Sequence, residues 1–246
     1  MKVSIITATW NSEDTISKTI DSCLAQEYKD IEHIFIDGLS MDRTIEIIKT
    51  SGLDQKKVFS EKDLGIFDAL NKGISRSSGE IIGFLHSDDF FYDSKTVKKI
   101  VNLFKKTRCD AIYGDLEYVS KKNRNKIVRY WKSGNYKLKN LKDGWMPPHP
   151  TFFMKADLYR RLGNFNTNYK ISSDYDAMLR YLSKGDLRVE YIPEVLIKMT
   201  LGGNSNKDIR NITMKMKEDY HIMKEHNLPA MRCLFGKNIY KIKQFF

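Results

Sequence analysis

Two adjacent carboxylates, Asp88 and Asp89, stand directly behind His86-Ser87 and an apolar run, Glu80-Ile81-Ile82-Gly83-Phe84-Leu85. Paired acids at the end of a buried strand are costly unless they meet positive charge. A divalent cation is the natural partner, because carboxylates are hard oxygen ligands for Mg²⁺ or Mn²⁺. An ion held there would sit at the C-terminal edge of a parallel sheet, where open α/β sheets bind their ligands. Taken alone, the pair reads more readily as a turn former or a helix cap.

The elements that must position these acids alternate between strand and helix in the first half of the chain, which predicts βαβ units and a parallel sheet. Val3 to Thr7 reads as the first strand. A helix follows, capped by Asn11 or Ser12, with Ile16, Ile20, Cys23 and Leu24 on one face. His33 to Ile36 is the second strand and ends at Asp37-Gly38; Asp42 caps a helix that carries Ile45 and Ile48 inward. Lys57 to Ser60, Glu80 to Leu85 and Ala111 to Tyr113 read as strands, with helices over Phe67 to Ser75 and Lys95 to Lys106 between them. Beyond that, Glu117 to Val119, Ile127 to Trp131 and Val189 to Ile192 read as strands and Asp174 to Lys184 as a helix. The proline-rich stretch Trp145 to Pro150 excludes a helix interior. From Lys207 onward the chain is basic and helical.

Composition bounds the function classes. The 246 residues, 41% hydrophobic and 30% charged, suit one large globular α/β domain with an appendage. Forty-two basic against 31 acidic residues give a net charge of +11, which suggests a polyanionic neighbour such as phosphorylated substrates or an acidic membrane face. Cys23, Cys109 and Cys233 show neither metal-site spacing nor a disulfide framework, so a reducing cytoplasm is the expected location. No stretch approaches the roughly 20 apolar residues that span a bilayer, and the N-terminus reads as a strand, not a signal peptide.

Five segments occur in a telling order: Thr7-Ala8-Thr9-Trp10-Asn11, Asp37 to Thr44, Glu61 to Gly73, Ser78 to Asp89, and Ser173 to Arg180, with His149 to Phe153 and Gly163 to Asn166 before the last. Together they resemble the family 2 glycosyltransferases of GT-A fold, especially the bacterial branch that builds surface polysaccharide (O-antigen, capsule or exopolysaccharide). The likeness covers roughly the first 205 residues and fades after Gly202-Gly203-Asn204-Ser205. It implies an α/β fold with a Rossmann-like, mostly parallel central sheet flanked by helices, a smaller acceptor-side region and a basic helical tail. The expected division is a GT-A domain over 1–205, its nucleotide-binding half about 1–115 and its acceptor half about 116–205, with the tail over 206–246.

The resemblance also implies roles. Trp10 stands where the family sets an aromatic against the base, and Asp37 where a carboxylate accepts from the base imide; Thr9, Glu13 and Asp63 are the neighbouring donor contacts. Asp88, with Asp89 beside it, corresponds to the metal-binding carboxylate of the family's Asp-x-Asp motif, so Mn²⁺ or Mg²⁺ is the implied cofactor. His86 replaces the first acid of that motif, and the late histidine ligand of some relatives is not visible here. Asp174 matches the catalytic base, with Asp176 as second choice; Trp145 and His149 are expected on the acceptor side. Away from this context Trp10 reads equally as a core aromatic, Asp37-Gly38 as a turn and Asp174 as a helix cap.

The implied reaction is an inverting transfer of one sugar per encounter, from a nucleotide-diphosphate donor, UDP first, to a hydroxyl of a polyprenyl-diphosphate-linked or oligosaccharide acceptor. The Gln-x-x-Arg-Trp segment of processive synthases is absent. In the tail, Leu234, Phe235, Ile239, Tyr240, Ile242, Phe245 and Phe246 alternate with Arg232, Lys237, Lys241 and Lys243. That pattern suits either a helix lying on an anionic membrane or one packed on the domain or a second subunit. The rival readings are a sugar-phosphate nucleotidyltransferase, which would need a glycine-rich loop after the first strand, and a non-catalytic nucleotide-sugar binder. A nucleic-acid-binding module has only the charge in its favour.

Overall fold

Val3–Thr9 (β1) and Ile31–Asp37 (β2) are buried at every residue, as strands covered on both faces must be. They pair in parallel, Val3 with Ile31 through to Thr9 with Asp37. The computed structural model describes residues 1–183, 186–201, 209–242 and 244, and among them nine strands form one sheet. Lys56–Ser60 (β3) lies parallel to β2 and Ile81–Phe84 (β4) parallel to β1. This makes a parallel half in the order β3-β2-β1-β4. Its crossovers run through the helices α1 (Ile16–Leu24), α2 (Thr44–Thr50) and α3 (Ile66–Arg76).

The second half is mixed. It holds the short strand Phe90–Phe91 (β5), the helix Thr96–Thr107 (α4), and the strands Ala111–Val119 (β6) and Ile127–Trp131 (β7). After the helix Leu138–Leu141 (α5) come the strand Phe153–Lys155 (β8) and the helices Ala156–Leu162 (α6) and Ser173–Ser183 (α7). Val189–Thr200 (β9) and the helices Ile209–Glu225 (α8) and Ala230–Ile242 (α9) complete the chain. The sheet continues from β4 through β8, β6, β9 and β5, with β7 on β6. The β8 strand joins β4 antiparallel, and Gly83 makes this possible: a Cβ there would lie 2.1 Å from the Phe153 ring.

Several local expectations need correction. The first helix begins at Ile16, because Asn11 takes a left-handed φ of 45° and the Ser12 carbonyl accepts the N–H groups of Thr15 and Ile16. Leu24 is exposed, and Thr19 takes the buried position on that face. Ala111 to Val119 is one strand, not two, because β9 pairs along its whole length. The β9 strand itself runs on past Pro193: its register slips between Gly114 and Asp115, and the proline sits in that irregularity, where no ladder donor is needed. The strands β5 and β8 and the helix α6 carry too few residues for a periodic signal.

The tail has one face on the domain. Ile222, Met223, Ala230 and Cys233 share a buried cluster with Leu141, Trp145 and Tyr175. The Glu218 carboxylate on α8 accepts the backbone N–H groups of Lys170 (2.8 Å), Ile171 (3.0 Å) and Ser172 (2.8 Å), just ahead of α7. Gly202 to Ser205, Lys207, Lys243, Phe245 and Phe246 lie outside the described residues.

Candidate active site

The ends of β1, β2 and β4 place their following residues along one edge of the parallel half, the edge at which α/β sheets bind ligands. Trp10, after β1, is 61% exposed, which rules out a core role. It lies beside Gly38: a Cβ on that glycine would stand 3.5 Å from Trp10 Cδ1 and 2.6 Å from Asp63 Oδ2. Trp10, Gly38 and Asp63 therefore converge, and the bare glycine keeps the space between ring and carboxylate open. Asp63 also accepts the Gly65 N–H at 2.9 Å.

Asp37 is fully buried and already satisfied. Thr9 Oγ1 (3.1 Å) and Ser40 Oγ (2.5 Å) donate to its Oδ1, while Ser40 N (3.0 Å) and Ser60 Oγ (2.7 Å) donate to its Oδ2. In this arrangement Asp37 and Thr9 clamp the loops after β1, β2 and β3, and the serines are the partners the sequence did not reveal. Glu13 is exposed and accepts the Arg43 N–H at 3.0 Å; its own N–H donates to Asp42 at 3.1 Å. Asp42 thus ties two loops together besides donor bonds from Thr44 at the start of α2.

Beyond β4 the two acids differ. Asp88 is half-buried, and among the described residues nothing is bonded to its carboxylate. Asp89 is 1% exposed and turned inward, its Oδ1 accepting the Thr200 N–H at 3.3 Å and its Oδ2 without a partner. Burial first, and the Asp88 charge second, push the Asp89 carboxyl well above the usual carboxylate range. Asp89 is therefore a supporting residue, and Asp88 is the carboxylate open to a ligand. Two further bonds hold the turn: Thr200 Oγ1 donates to the Asp88 carbonyl at 2.6 Å, and the Ser12 and Ser87 hydroxyls meet at 3.0 Å. Among the described residues no group of three or more His, Cys, Asp or Glu side chains is arranged to hold a metal ion. One open carboxylate fits Mg²⁺ or Mn²⁺ only if phosphate oxygens and waters supply the remaining ligands, a habit of Mg²⁺ in particular.

Asp174 opens α7, its Oδ1 accepting the Tyr175 N–H at 2.8 Å. A helix N-terminus favours an ionised carboxylate, yet the Asp174 pKa is raised, because burial outweighs the opposing charges of Lys215 and Lys237. Asp88 and Asp174 both lie within electrostatic reach of His86. Burial nevertheless lowers the His86 pKa. Tyr118 on β6 lies within electrostatic reach of Asp89 and Asp174.

The other acceptor-side expectations fall in the interior. Asp176 is 5% exposed and committed to Arg180 (Nη2 3.0 Å) and His226 (Nε2 2.9 Å), which joins α7 to the end of α8. Trp145 is 5% exposed and donates its Nε1–H to the Ser133 carbonyl at 2.9 Å, so it is a core aromatic. His149, also 5% exposed, stacks on Phe84 at 5.2 Å and lies 5.9 Å from the His86 ring. It supports the floor beneath the site. The sequence singles out none of Thr200, Ser40, Ser60 and Lys215 for the site, and Lys237 only as a basic residue of the tail; the fold brings Thr200 to Asp88, Ser60 to Asp37, the Asn11 N–H to Ser40 and both lysines toward Asp174.

Comparison with known proteins identifies the family and the fold. The family model for glycosyl transferase family 2 matches residues 4–163. A glycosyltransferase of PGL/p-HBAD biosynthesis from Mycobacterium bovis is 28% identical over 208 residues, covering 82% of this chain and 78% of that protein. An uncharacterized glycosyltransferase from Rickettsia typhi is 29% identical over 228 residues, covering 90% and 70%. Among solved structures, S. aureus TarS (1-349) in complex with UDP-GlcNAc superposes with a TM-score of 0.73 at 18% identity over 92% of this chain; the chain spans 65% of that protein. A mannosyltransferase from Pyrobaculum calidifontis in complex with GDP-Man and Mn²⁺ gives a TM-score of 0.67 at 16% identity, covering 97% and 69%. The mixed sheet flanked by helices is thus a GT-A fold, and the chain belongs to glycosyl transferase family 2.

Proposed function

We propose that this protein is an inverting, non-processive glycosyltransferase of bacterial surface-polysaccharide synthesis. It takes a sugar from a nucleotide-diphosphate donor, UDP-linked first among the candidates, and passes it to a hydroxyl of a polyprenyl-diphosphate-linked or oligosaccharide acceptor. The observation that carries this reading is Asp88 itself: half-buried just past the end of β4, with none of the described residues bonded to its carboxylate, and with Asp174 also within electrostatic reach of the neighbouring His86. On this reading residues 1–115 hold the nucleotide, 116–205 the acceptor, and the tail over 206–246 packs beside them.

Trp10 stacks on the base, with Asp63 at its edge and Asp37 and Thr9 holding the loops that frame it. Asp88 would hold Mn²⁺ or Mg²⁺ together with the diphosphate oxygens. A bound ion there neutralises charge that builds on the leaving diphosphate. Asp174 takes the proton of the acceptor hydroxyl as its oxygen attacks the anomeric carbon from the face opposite the diphosphate. The raised pKa of Asp174 suits a base that must hold that proton after transfer.

Peripheral contact with the inner face of a cell membrane is part of the proposal. Met231 (75% exposed), Phe235 (71%) and Ile239 (38%) follow one another at helical spacing on α9, and a solvent-facing apolar stripe of this kind suits a lipid interface. No helix among the described residues is long and apolar enough to cross a membrane.

The deciding experiment is a thermal-shift panel of UDP, GDP, dTDP and CMP, each with and without Mn²⁺, on wild type and Asp88→Asn. A ligand specific to the folded state stabilises it by about 2.7 kcal/mol at a hundredfold excess over its dissociation constant. One nucleotide should raise the midpoint with Mn²⁺, and Asp88→Asn should lose the metal-dependent part. No response to any nucleotide would sink the transferase reading.

A further inference from the structure

The C-terminal helices bring a compact charge cluster against the helix that carries Asp174. Lys215 Nζ lies 3.1 Å from Asp219 Oδ2, and Lys237 Nζ lies 2.7 Å from the same oxygen. The Asp219 side chain is 6% exposed and that of Lys237 22%. Lys237 Nζ also sits 3.6 Å from the centroid of the Tyr175 ring, the residue after Asp174. Two ammonium groups on one carboxylate leave a positive charge over, and half-burying that surplus is costly unless a further anion faces it. Asp174, next to the Tyr175 whose ring Lys237 covers and within electrostatic reach of both lysines, is that anion. Aromatic contact adds to the placement, because an ammonium over a ring face is attracted to it.

We propose that Lys237, fixed by Asp219 and Lys215, is a positioning residue for Asp174: it presents positive charge to the reacting carboxylate from a helix outside the family-matched span 4–163. The tail thereby completes the acceptor side of the site. Its catalytic meaning rests on Asp174 being the base, as proposed above. The groups facing Asp174 are His86 from the turn after β4, Tyr118 from β6, Lys215 and Asp219 from α8, and Lys237 from α9. Burial and Lys215 push the Lys237 ammonium down to about 8, so its charge is held against a real cost.

The test follows the Asp174 carboxyl ¹³C resonance of the full chain through a pH titration, assigned with Asp174→Asn. Lys237→Met should raise the Asp174 midpoint by about half a pH unit or more, the direction expected when an opposite charge is removed, and Lys237→Arg should restore it. Lys215→Met should move it the same way, which keeps the test alive if Lys237→Met folds poorly. An Asp174 midpoint that stays put in both methionine variants, or that Lys237→Arg shifts equally, overturns the proposal. Nucleotide binding is measured separately by the thermal-shift panel. Its absence would fail the glycosyltransferase reading, while the titration would still decide whether Lys237 acts on Asp174.

Discussion

Thr200, the last residue of β9, holds the turn that carries Asp88: its hydroxyl donates to the Asp88 carbonyl at 2.6 Å and its N–H to Asp89 Oδ1 at 3.3 Å. Asp88, whose carboxylate is bonded to nothing among the described residues, thus owes its position to a strand 112 residues later. Thr200→Val keeps the shape and the N–H but removes the hydroxyl. Losing one buried hydrogen bond costs about 0.5–1.5 kcal/mol. We expect the Mn²⁺-dependent part of the nucleotide-induced thermal shift to shrink in this variant, while the metal-independent part stays; an unchanged metal response would mean the turn holds itself.

Trp10 separates binding from folding. Because it is 61% exposed, Trp10→Ala should leave the melting midpoint of the unliganded protein within experimental error. Stacking of a base on an aromatic ring is worth about 1–3 kcal/mol, so nucleotide affinity should fall at least several-fold. Isothermal titration with the nucleotide found in the panel reads this directly.

Asp174 and Asp176 should part company under mutation. Asp174→Asn is expected to lower turnover by about 10²–10⁴-fold with nucleotide binding intact, the usual worth of a general base. Asp176→Asn instead weakens the contacts to Arg180 and His226, so its first effect is on the melting midpoint. Since the Asp174 pKa is raised, the acid limb of a rate–pH profile should lie above the ordinary carboxylate value of 3.8.

His149 gives a stability prediction with a defined sign. Burial, then the neighbouring His86, push its pKa from 6.5 down to about 3. The unfolded chain therefore takes up a proton that the folded chain refuses, and its contribution is intact above pH 6.5 and lost as the pH falls toward 3. Each pH unit across that window is worth about 1.4 kcal/mol. His149→Phe preserves the stack on Phe84, and its melting midpoint should fall less than that of wild type between pH 7 and pH 5. Buried His33, pushed by burial down to about 4, supplies a similar loss that the variant retains.

The sequence by itself determined the parallel half of the sheet and its chemistry. The fully buried strands β1 and β2 show in the sequence through their runs of Ile, Val and Phe, and Trp10, Asp37 and Asp88 stand at or just past strand ends, the edge at which this architecture binds ligands. Local periodicity also found α4 and α7. Composition and spacing leave open which of two neighbouring acids faces outward; the family likeness points to Asp88, and Thr200 supplies the reason by drawing Asp89 inward. The family likeness ranks Asp174 ahead of Asp176, and the folded chain supplies the physical reason: His226 and Arg180 hold Asp176, while Lys215 and Lys237 from the tail act on Asp174. Trp145 and His149 carry groups fit for a site, yet the folded chain spends them in the core, where Ser133 and Phe84 receive them. Burial and long-range pairing are properties of the closed structure, since each depends on partners tens of residues away, so no local pattern encodes them.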